Sequence, residues 1–416
     1  MVVIGAGAAF AYVSGIANNL HAGVDQNLRD ALVQTDMANE AFYMVLLGTD
    51  ASAVREEIDG EGAQYRTDSM MLARIDAPNK KATLISIPRD IEVDLGSNGK
   101  QKINAAYSIG GAAYAVETIS KLAGVPISHY AEVNFDGFKA MVDALGGIEV
   151  DVPMSFDDED AEGALDAGLQ TLNGEQALVL CRVRNAYADV AAKPDAMRAA
   201  NQRLVLSAIA KTLLASDIPT IASTVSAMSK YVTTDLELND IIGLAQAMRG
   251  INTDTDIYTA AVPTTSQYID EIWYEFVNKS EWDTMMKRVK EGLPPTEESE
   301  IDEATGTVMA TAGSAATMSG EKYATVTVKN GTNTEGLATS VRSKLMEDGF
   351  KNVVIGDVAS GYDYPDTLIL YDEPAREREA QEILRVIGQG ETMLNDGSYL
   401  MTDCDLLVVI GDDWQK

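Results

Sequence analysis

From residue 42 onward, short apolar runs of strand length alternate with stretches that carry helix-capping signals. Phe42–Gly48 (FYMVLLG) is continuously apolar, as a buried strand is. Met70–Ala77 and Ala82–Ile87 read as two more strands, joined by the turn residues Pro78-Asn79-Lys80-Lys81. Asn104–Leu122 suits a helix that Gly110-Gly111 interrupts, and Tyr130–Phe135 suits a strand. Asp136 is positioned to cap a helix running to about Leu145, which Gly146-Gly147 ends, and Ile148–Val152 is a further strand. Asn173 with Gln176 three residues on forms a capping-box pattern, and the helix it starts would deliver Arg182 and Arg184 at or just past its end. Asp195 is positioned to cap a long helix reaching about Ala215. Strands alternating with helices imply an α/β class, an α-β-α sandwich around a central mixed sheet.

Composition changes mark the domain limits. Val2–Val13 is apolar, yet spanning a bilayer takes about 20 such residues. No Lys or Arg precedes it, so residues 1–17 are expected to be part of a transmembrane anchor and 18–41 a stalk. Residues 42–292 form the main domain. Residues 293–321 hold Pro-Pro, an acidic cluster and few apolar anchors, and are expected to be a flexible acidic linker. In 322–416, strand-like Tyr323–Val328, Leu368–Tyr371 and Leu406–Ile410 alternate with helical stretches at Gly336–Gly349 and Ala375–Ile387, a small second α/β domain.

Charge narrows the partners. The chain has 32 Lys+Arg against 64 Asp+Glu, a formal net charge of -32. Nucleic acid is thereby excluded as a partner, as is adhesion to anionic lipid through a polybasic patch. The two cysteines, Cys181 and Cys404, and the two histidines, His21 and His129, have no metal-ligand spacing. His129 is expected to be structural.

Against that acidic background, five segments hold arginines with aspartates: Asp50, Arg66-Thr67-Asp68, Arg89-Asp90, Arg182-Val183-Arg184 and Asp195 through Gln202. Guanidinium forks bind phosphate oxygens in bidentate fashion. Asp50 directly follows a strand and Asp68 directly precedes one, so two neighbouring strands would let both carboxylates share a cation. Arg182 and Arg184 have no carboxylate within four residues, and Arg198 and Gln202 lie one helical turn apart.

Taken together, the strings LLGTD (46–50), RTD (66–68), SIPRD (86–90), KINAAY (102–107), VNFDGF (133–138), LGGIEV (145–150), LNGEQAL (172–178) and RVR (182–184), with D-x-x-R-x-x-x-Q from Asp195 to Gln202, resemble the LytR-CpsA-Psr family of cell-wall phosphotransferases. VTVKNGT (326–332) and GLA (336–338) resemble that family's optional C-terminal domain. The resemblance implies an enzyme held in the cell membrane by a single N-terminal helix, with its catalytic domain on the extracellular face. Such an enzyme moves a glycopolymer phosphate from a polyprenyl-pyrophosphate carrier to a hydroxyl of peptidoglycan or of a glycosylated surface protein. The alternative is a non-catalytic envelope protein that binds prenyl phosphates or wall glycan. Under the resemblance, Asp50 and Asp68 hold Mg2+ (or Mn2+). Arg66, Arg89, Arg182, Arg184, Arg198 and Gln202 bind the pyrophosphate, Lys102 assists at the rim, and Asp90 either orients Arg89 or serves as base. An apolar channel between sheet and helices would hold the lipid.

The chain departs from the family pattern in places. Asn201-Gln202-Arg203 stands where many relatives have Arg-Gln-Gln, and Arg203 falls about 200° round the helix from the lost arginine. Cys181 stands where an aromatic or aliphatic residue is usual, and the loop from Asn185 to Pro194 is this chain's own.

Overall fold

The computed structural model describes residues 14–49, 67–188, 194–253, 255–297, 299–301, 307–311, 322–332, 334, 336–356, 364–372, 376–401 and 404–414. A six-stranded mixed sheet organises the first domain. Its strands are β1 (Phe42–Thr49), β2 (Thr67–Asp76), β3 (Lys81–Ser86), β4 (His129–Asn134), β5 (Val232–Thr234) and β6 (Ile257–Ala261), in the spatial order β5-β4-β1-β2-β3-β6. β1, β2 and β3 run antiparallel in succession, while β4 joins β1 and β6 joins β3 in parallel.

The unbroken apolar run of β1 is explained by helices on both faces of the sheet. Tyr43, Val45 and Leu47 bury with Leu72 and Ile85 against Val116 and Ile119 of a helix at Ala105–Ala123 and against Trp282 and Val289 of a helix at Lys279–Lys290. Phe42 and Met44 bury on the other face with Ala73, Leu84 and Leu236, joined by Leu206 and Leu244. Each fully buried aliphatic side chain contributes about 1.5–3 kcal/mol relative to exposure. In chain order the first helices are α1 (Gln26–Ala31), α2 (Ala105–Ala123), α3 (Phe135–Ala144), α4 (Gly174–Arg182) and α5 (Pro194–Ala215). Gly110 and Gly111 break α2 where the sequence places them, Gly111 at φ 65°.

Three local expectations are corrected. Asn134, not Asp136, caps α3: its side chain accepts from Gly137 N, and Asp136 falls in the first turn. Asp195 lies inside the first turn of α5 rather than at its cap, which leaves its carboxylate to two arginines. The stretch read as a stalk is packed. Residues 14–20 are helical, with Ile16 and Leu20 buried against Val225, Val232 and Leu238. Val24 and Leu28 enter the central core beside α2. Among the described residues no helix is long and apolar enough to cross a membrane, and residues 1–13 of the expected anchor lie outside them.

The segment read as a flexible linker also contributes order. Val308–Ala310 forms a two-stranded hairpin with Glu300–Ile301. Thr311 N–H donates to Thr259 O at 2.8 Å, and Thr259 N–H donates to the Thr311 hydroxyl at 2.7 Å. Thr259 belongs to the edge strand β6, whose outer peptide groups need partners. Such backbone pairing leaves no trace in composition, which is why the sequence reading missed it.

The C-terminal domain has its own core. Strands at Lys322–Asn330, Phe350–Ile355, Leu368–Tyr371, Glu391–Leu394 and Leu406–Ile410 form a five-stranded sheet, and helices at Leu337–Glu347 and Glu377–Ile387 cover it. Val326, Val341, Leu345, Ile383 and Val408 meet at its centre.

Candidate active site

The first sheet and its second helical layer enclose a pocket of about 980 Å³. Its interior is apolar: Leu46 and Met71 from the sheet, Phe138 and Met141 from α3, Leu178 from α4, and Leu206 and Ile209 from α5 all line it. Its polar lining includes Arg182, Arg184, Arg198 and Gln202, with the carboxylates Asp136, Asp160, Glu162 and Glu175. Four of the residues singled out in the sequence are thus brought to one cavity. Lys139 of α3 lines it as well, within 3.6 Å of Asp136 and 3.4 Å of Glu175. The sequence reading passed over Lys139. Its position one turn into the helix after β4, facing the same way as Phe135, was the available signal.

Local structure explains how the arginines are presented. The Asn173–Gln176 capping box starts α4 as expected, and the helix ends at Arg182, with Val183 as its C-cap. The chain then turns around Asp158. One Asp158 oxygen accepts the N–H groups of Asp160 and Ala161, and the other those of Arg184, Asn185 and Ala186. Burial pulls the Asp158 carboxyl up, but the N–H groups of Arg184, Ala186, Ala161 and Asn185 outweigh it, and its pKa ends below the ordinary carboxylate value. Asp158 therefore stays ionised and ties the 160–161 turn to the backbone from Arg184 to Ala186.

Arg182 and Arg184 lack carboxylates within four residues but have spatial ones. Arg182 donates to Glu162 Oε2 at 3.1 Å and to Asp160 O at 2.8 Å, and its guanidinium lies 5.4 Å from the centre of the Phe135 ring. Asp195 Oδ1 is 3.5 Å from Arg184 Nε and 2.9 Å from Arg198 Nη2. Glu162 and Asp195 are half or more exposed, so each pair contributes only about 0–1 kcal/mol. A polyanion can displace such carboxylates. Gln202 is fixed at both ends of its amide, donating to Cys181 O at 3.2 Å and accepting from the Ser69 hydroxyl at 3.0 Å.

A second group forms where β3 ends. Asp90 accepts from Lys102 Nζ at 2.6 Å and lies 3.8 Å from Arg89 Nε. These three do not line the pocket of Arg182 and Arg184. Between the two groups lies the start of β2. There Gly48 pairs with Ser69 and Thr49 with Thr67, so the register skips Asp68, a β-bulge. Bulges of this kind recur beside active sites. β1 and β2 are neighbours, as sharing of a cation by Asp50 and Asp68 requires. Asp50 and Arg66 lie outside the described residues, as does the Asp68 side chain. No group of three or more His, Cys, Asp or Glu with metal-binding geometry occurs among the described residues.

Arg203 does not replace the arginine missing at Asn201. It is 1% exposed and turned into the core, donating to the Ser86 hydroxyl at 2.9 Å and to Met309 O at 2.8 Å. Burial pulls its pKa down to about 10. Asn201 is also buried and donates to the Tyr187 hydroxyl. Cys181 and Cys404 are both free, and burial pushes the Cys181 thiol up to about 12, which disfavours the thiolate. His129 is held by Asp235 at 2.7 Å against the edge of Phe42, a structural role.

The LytR_cpsA_psr family model matches residues 9–291, more than half of the chain. The chain belongs to the LytR-CpsA-Psr family. A second model, described as LytR cell envelope-related transcriptional attenuator, matches residues 323–414, the small C-terminal domain. The polyisoprenyl-teichoic acid–peptidoglycan teichoic acid transferase TagV of Bacillus subtilis is 32% identical over 299 residues, covering 69% of this chain and 72% of TagV. The TagU transferase of Enterococcus faecalis is 35% identical over 208 residues, covering 50% of this chain and 65% of TagU. The crystal structure of B. subtilis TagV superposes with a TM-score of 0.53 at 29% identity, over 61% of this chain and 97% of that one. TagT bound to LIIa-WTA shares the fold, with a TM-score of 0.51 at 24% identity over 62% of this chain and 93% of that one. The α-β-α domain described above is thus a LytR-CpsA-Psr domain.

Proposed function

We propose that this chain transfers a glycopolymer, as its phosphate, from a polyprenyl-pyrophosphate carrier to a hydroxyl of peptidoglycan on the outer face of the cell membrane. The observation that carries this reading is one cavity, apolar inside and with three arginines in its polar lining. A prenyl chain needs the first feature and a pyrophosphate the second. The names of TagV, TagU and TagT, as polyisoprenyl-teichoic acid–peptidoglycan teichoic acid transferases, agree with it.

In this reading the acceptor oxygen attacks the phosphorus that bears the glycan. The bond from that phosphorus to the bridging oxygen breaks, polyprenyl phosphate leaves, and the hydroxyl proton passes to a base or to water. Such transfer depends on positioning and charge neutralisation more than on covalent help. Arg182, Arg184 and Arg198, with Gln202, hold the pyrophosphate from the pocket side, and Arg66 and Arg89 bind it as well. Asp90 orients Arg89 and Lys102, consistent with its contact to both. Asp50 and Asp68 fit a magnesium ion in donor type and number, because magnesium takes one or two carboxylates together with phosphate oxygens. The ion would add positive charge at the pyrophosphate.

The test is incubation of the protein with a short prenyl-pyrophosphate oligosaccharide, magnesium and peptidoglycan fragments, with products read by mass spectrometry. Glycan phosphate on the acceptor is expected, reduced about 100-fold or more in Arg184→Ala or Arg89→Ala, the usual loss for one transition-state donor. A chelator, or Asp50→Ala with Asp68→Ala, should abolish turnover. Unchanged turnover in that double variant removes the metal assignment, and absence of any product from the unaltered protein removes the transferase.

A further inference from the structure

A β-hairpin stands beside the Asp90 group and has no role in the site as described. Its strands, β7 (Thr264–Ile269) and β8 (Ile272–Val277), pair in antiparallel register. Tyr268 and Trp273 sit opposite each other and are each 59% exposed, with ring centres 5.0 Å apart. Next along the same face is the pair Ser266 and Glu275, hydroxyl to carboxylate. The root of the hairpin is tied to the site. Glu275 N–H donates to Asp90 O at 2.9 Å, and Lys102 Nζ lies 5.7 Å from the centre of the Tyr274 ring.

We propose that this hairpin is a carbohydrate platform, on which a sugar ring of the acceptor glycan stacks against Tyr268 and Trp273. The inference rests on the transferase reading in naming the acceptor as the source of that sugar. The apolar C–H face of a pyranose matches the negative face of an aromatic ring, and the adjoining hydroxyl and carboxylate can take the sugar's hydroxyl hydrogen bonds. Two other occupants fit less well. Exposed Trp and Tyr also suit a membrane interface. Here, however, the turn between the strands is Asp270-Glu271, both exposed and at φ 47° and 65°. Two carboxylates at the tip of a chain of net charge -32 oppose entry into an anionic bilayer. A stable protein partner needs about 800 Å² on each side, more than one hairpin tip offers. The backbone bond from Glu275 to Asp90 O joins the hairpin to the Asp90 group, and neither Tyr268 nor Trp273 lines the apolar pocket; their rings stand on the face opposite Tyr274 and Lys102.

The test uses the full chain and a β-1,4-linked N-acetylglucosamine hexamer, titrated by tryptophan fluorescence and by saturation-transfer NMR. Of the three tryptophans, Trp282 is 2% exposed and Trp414 packs on the C-terminal core, so the change in signal that Trp273→Ala removes is the one that reports. Trp273→Ala and Tyr268→Ala are expected to weaken hexamer binding 10-fold or more, and Trp273→Phe to restore it to within about threefold, because it keeps the ring. In the transfer assay Trp273→Ala should raise the acceptor KM and leave release of glycan phosphate to water unchanged. Equal hexamer binding by Trp273→Ala and the unaltered chain overturns the platform. So does loss of binding to phosphatidylglycerol vesicles in that variant with hexamer binding intact. Hexamer binding through Trp273 in a protein that never transfers glycan supports the platform and defeats only the transferase reading.

Discussion

Asp158 shows how a residue outside the reacting centre shapes it. Its carboxylate accepts backbone N–H groups from Ala161 and from the loop that begins at Arg184. Because its folded pKa lies below the unfolded value of about 3.9, its contribution is fully present above about pH 4 and is lost as pH falls through the folded value. Asp158→Asn puts an amide N–H against these donors. Hydrogen exchange at Arg184, Asn185 and Ala186 should therefore speed up in the variant at pH 7. In the unaltered protein it should exceed the normal pH trend only below about pH 4. Equal protection in variant and parent would show that the loop is held by other contacts. Arg203 makes the opposite point: a guanidinium two positions from the missing family arginine is held by Ser86 and the 307–311 segment.

At the scale of elements, the site depends on how closely α4 approaches α3. Gly174 opens α4 where a Cβ would stand 2.4 Å from Lys139 O, and its N–H donates to Asp143 Oδ1 at 2.7 Å. Gly174→Ala must push α4 away from α3 and carry Arg182 with it. The cost of such overpacking is about 1–3 kcal/mol. A thermal midpoint lower by several degrees is expected, with weaker binding of a prenyl pyrophosphate. An unshifted midpoint would mean that the contact relaxes freely. The helix starts and ends were legible because capping acts over three or four residues. Asn134 displaced Asp136 because either side chain has the chemistry to cap, and the strand before it decided which residue took the extended conformation.

Over the whole molecule, 64 acidic against 32 basic residues leave a large excess of like charge. Screening shortens from about 30 Å at 0.01 M salt to about 8 Å at 0.15 M, so self-repulsion weakens with salt. The denaturation midpoint should rise as sodium chloride is added over that range, by calorimetry at neutral pH. A flat or falling response would indicate that attractive pairs dominate. Around the cavity Arg182, Arg184, Arg198 and Lys139 are matched by Asp136, Asp160, Glu162 and Glu175, so an arriving anion has to displace carboxylates from the cations they pair with.

The sequence alone determined the alternation of strands and helices, the presentation of Arg182 and Arg184 at a helix end, the break at Gly110-Gly111 and the family resemblance. Each of these is written in a few consecutive residues or in a fixed order of short strings. Tertiary structure decided which arginines share a cavity, that Asp195 serves two of them, that Arg203 is withdrawn into the core, and that residues 14–28 and 307–311 pack against the domain. The first two depend on how α4 packs against α5, and the burial of Arg203 and of Ile16 on contacts across more than a hundred residues. Hydrophobic period and capping chemistry carry no record of which distant surface or strand edge a segment will meet.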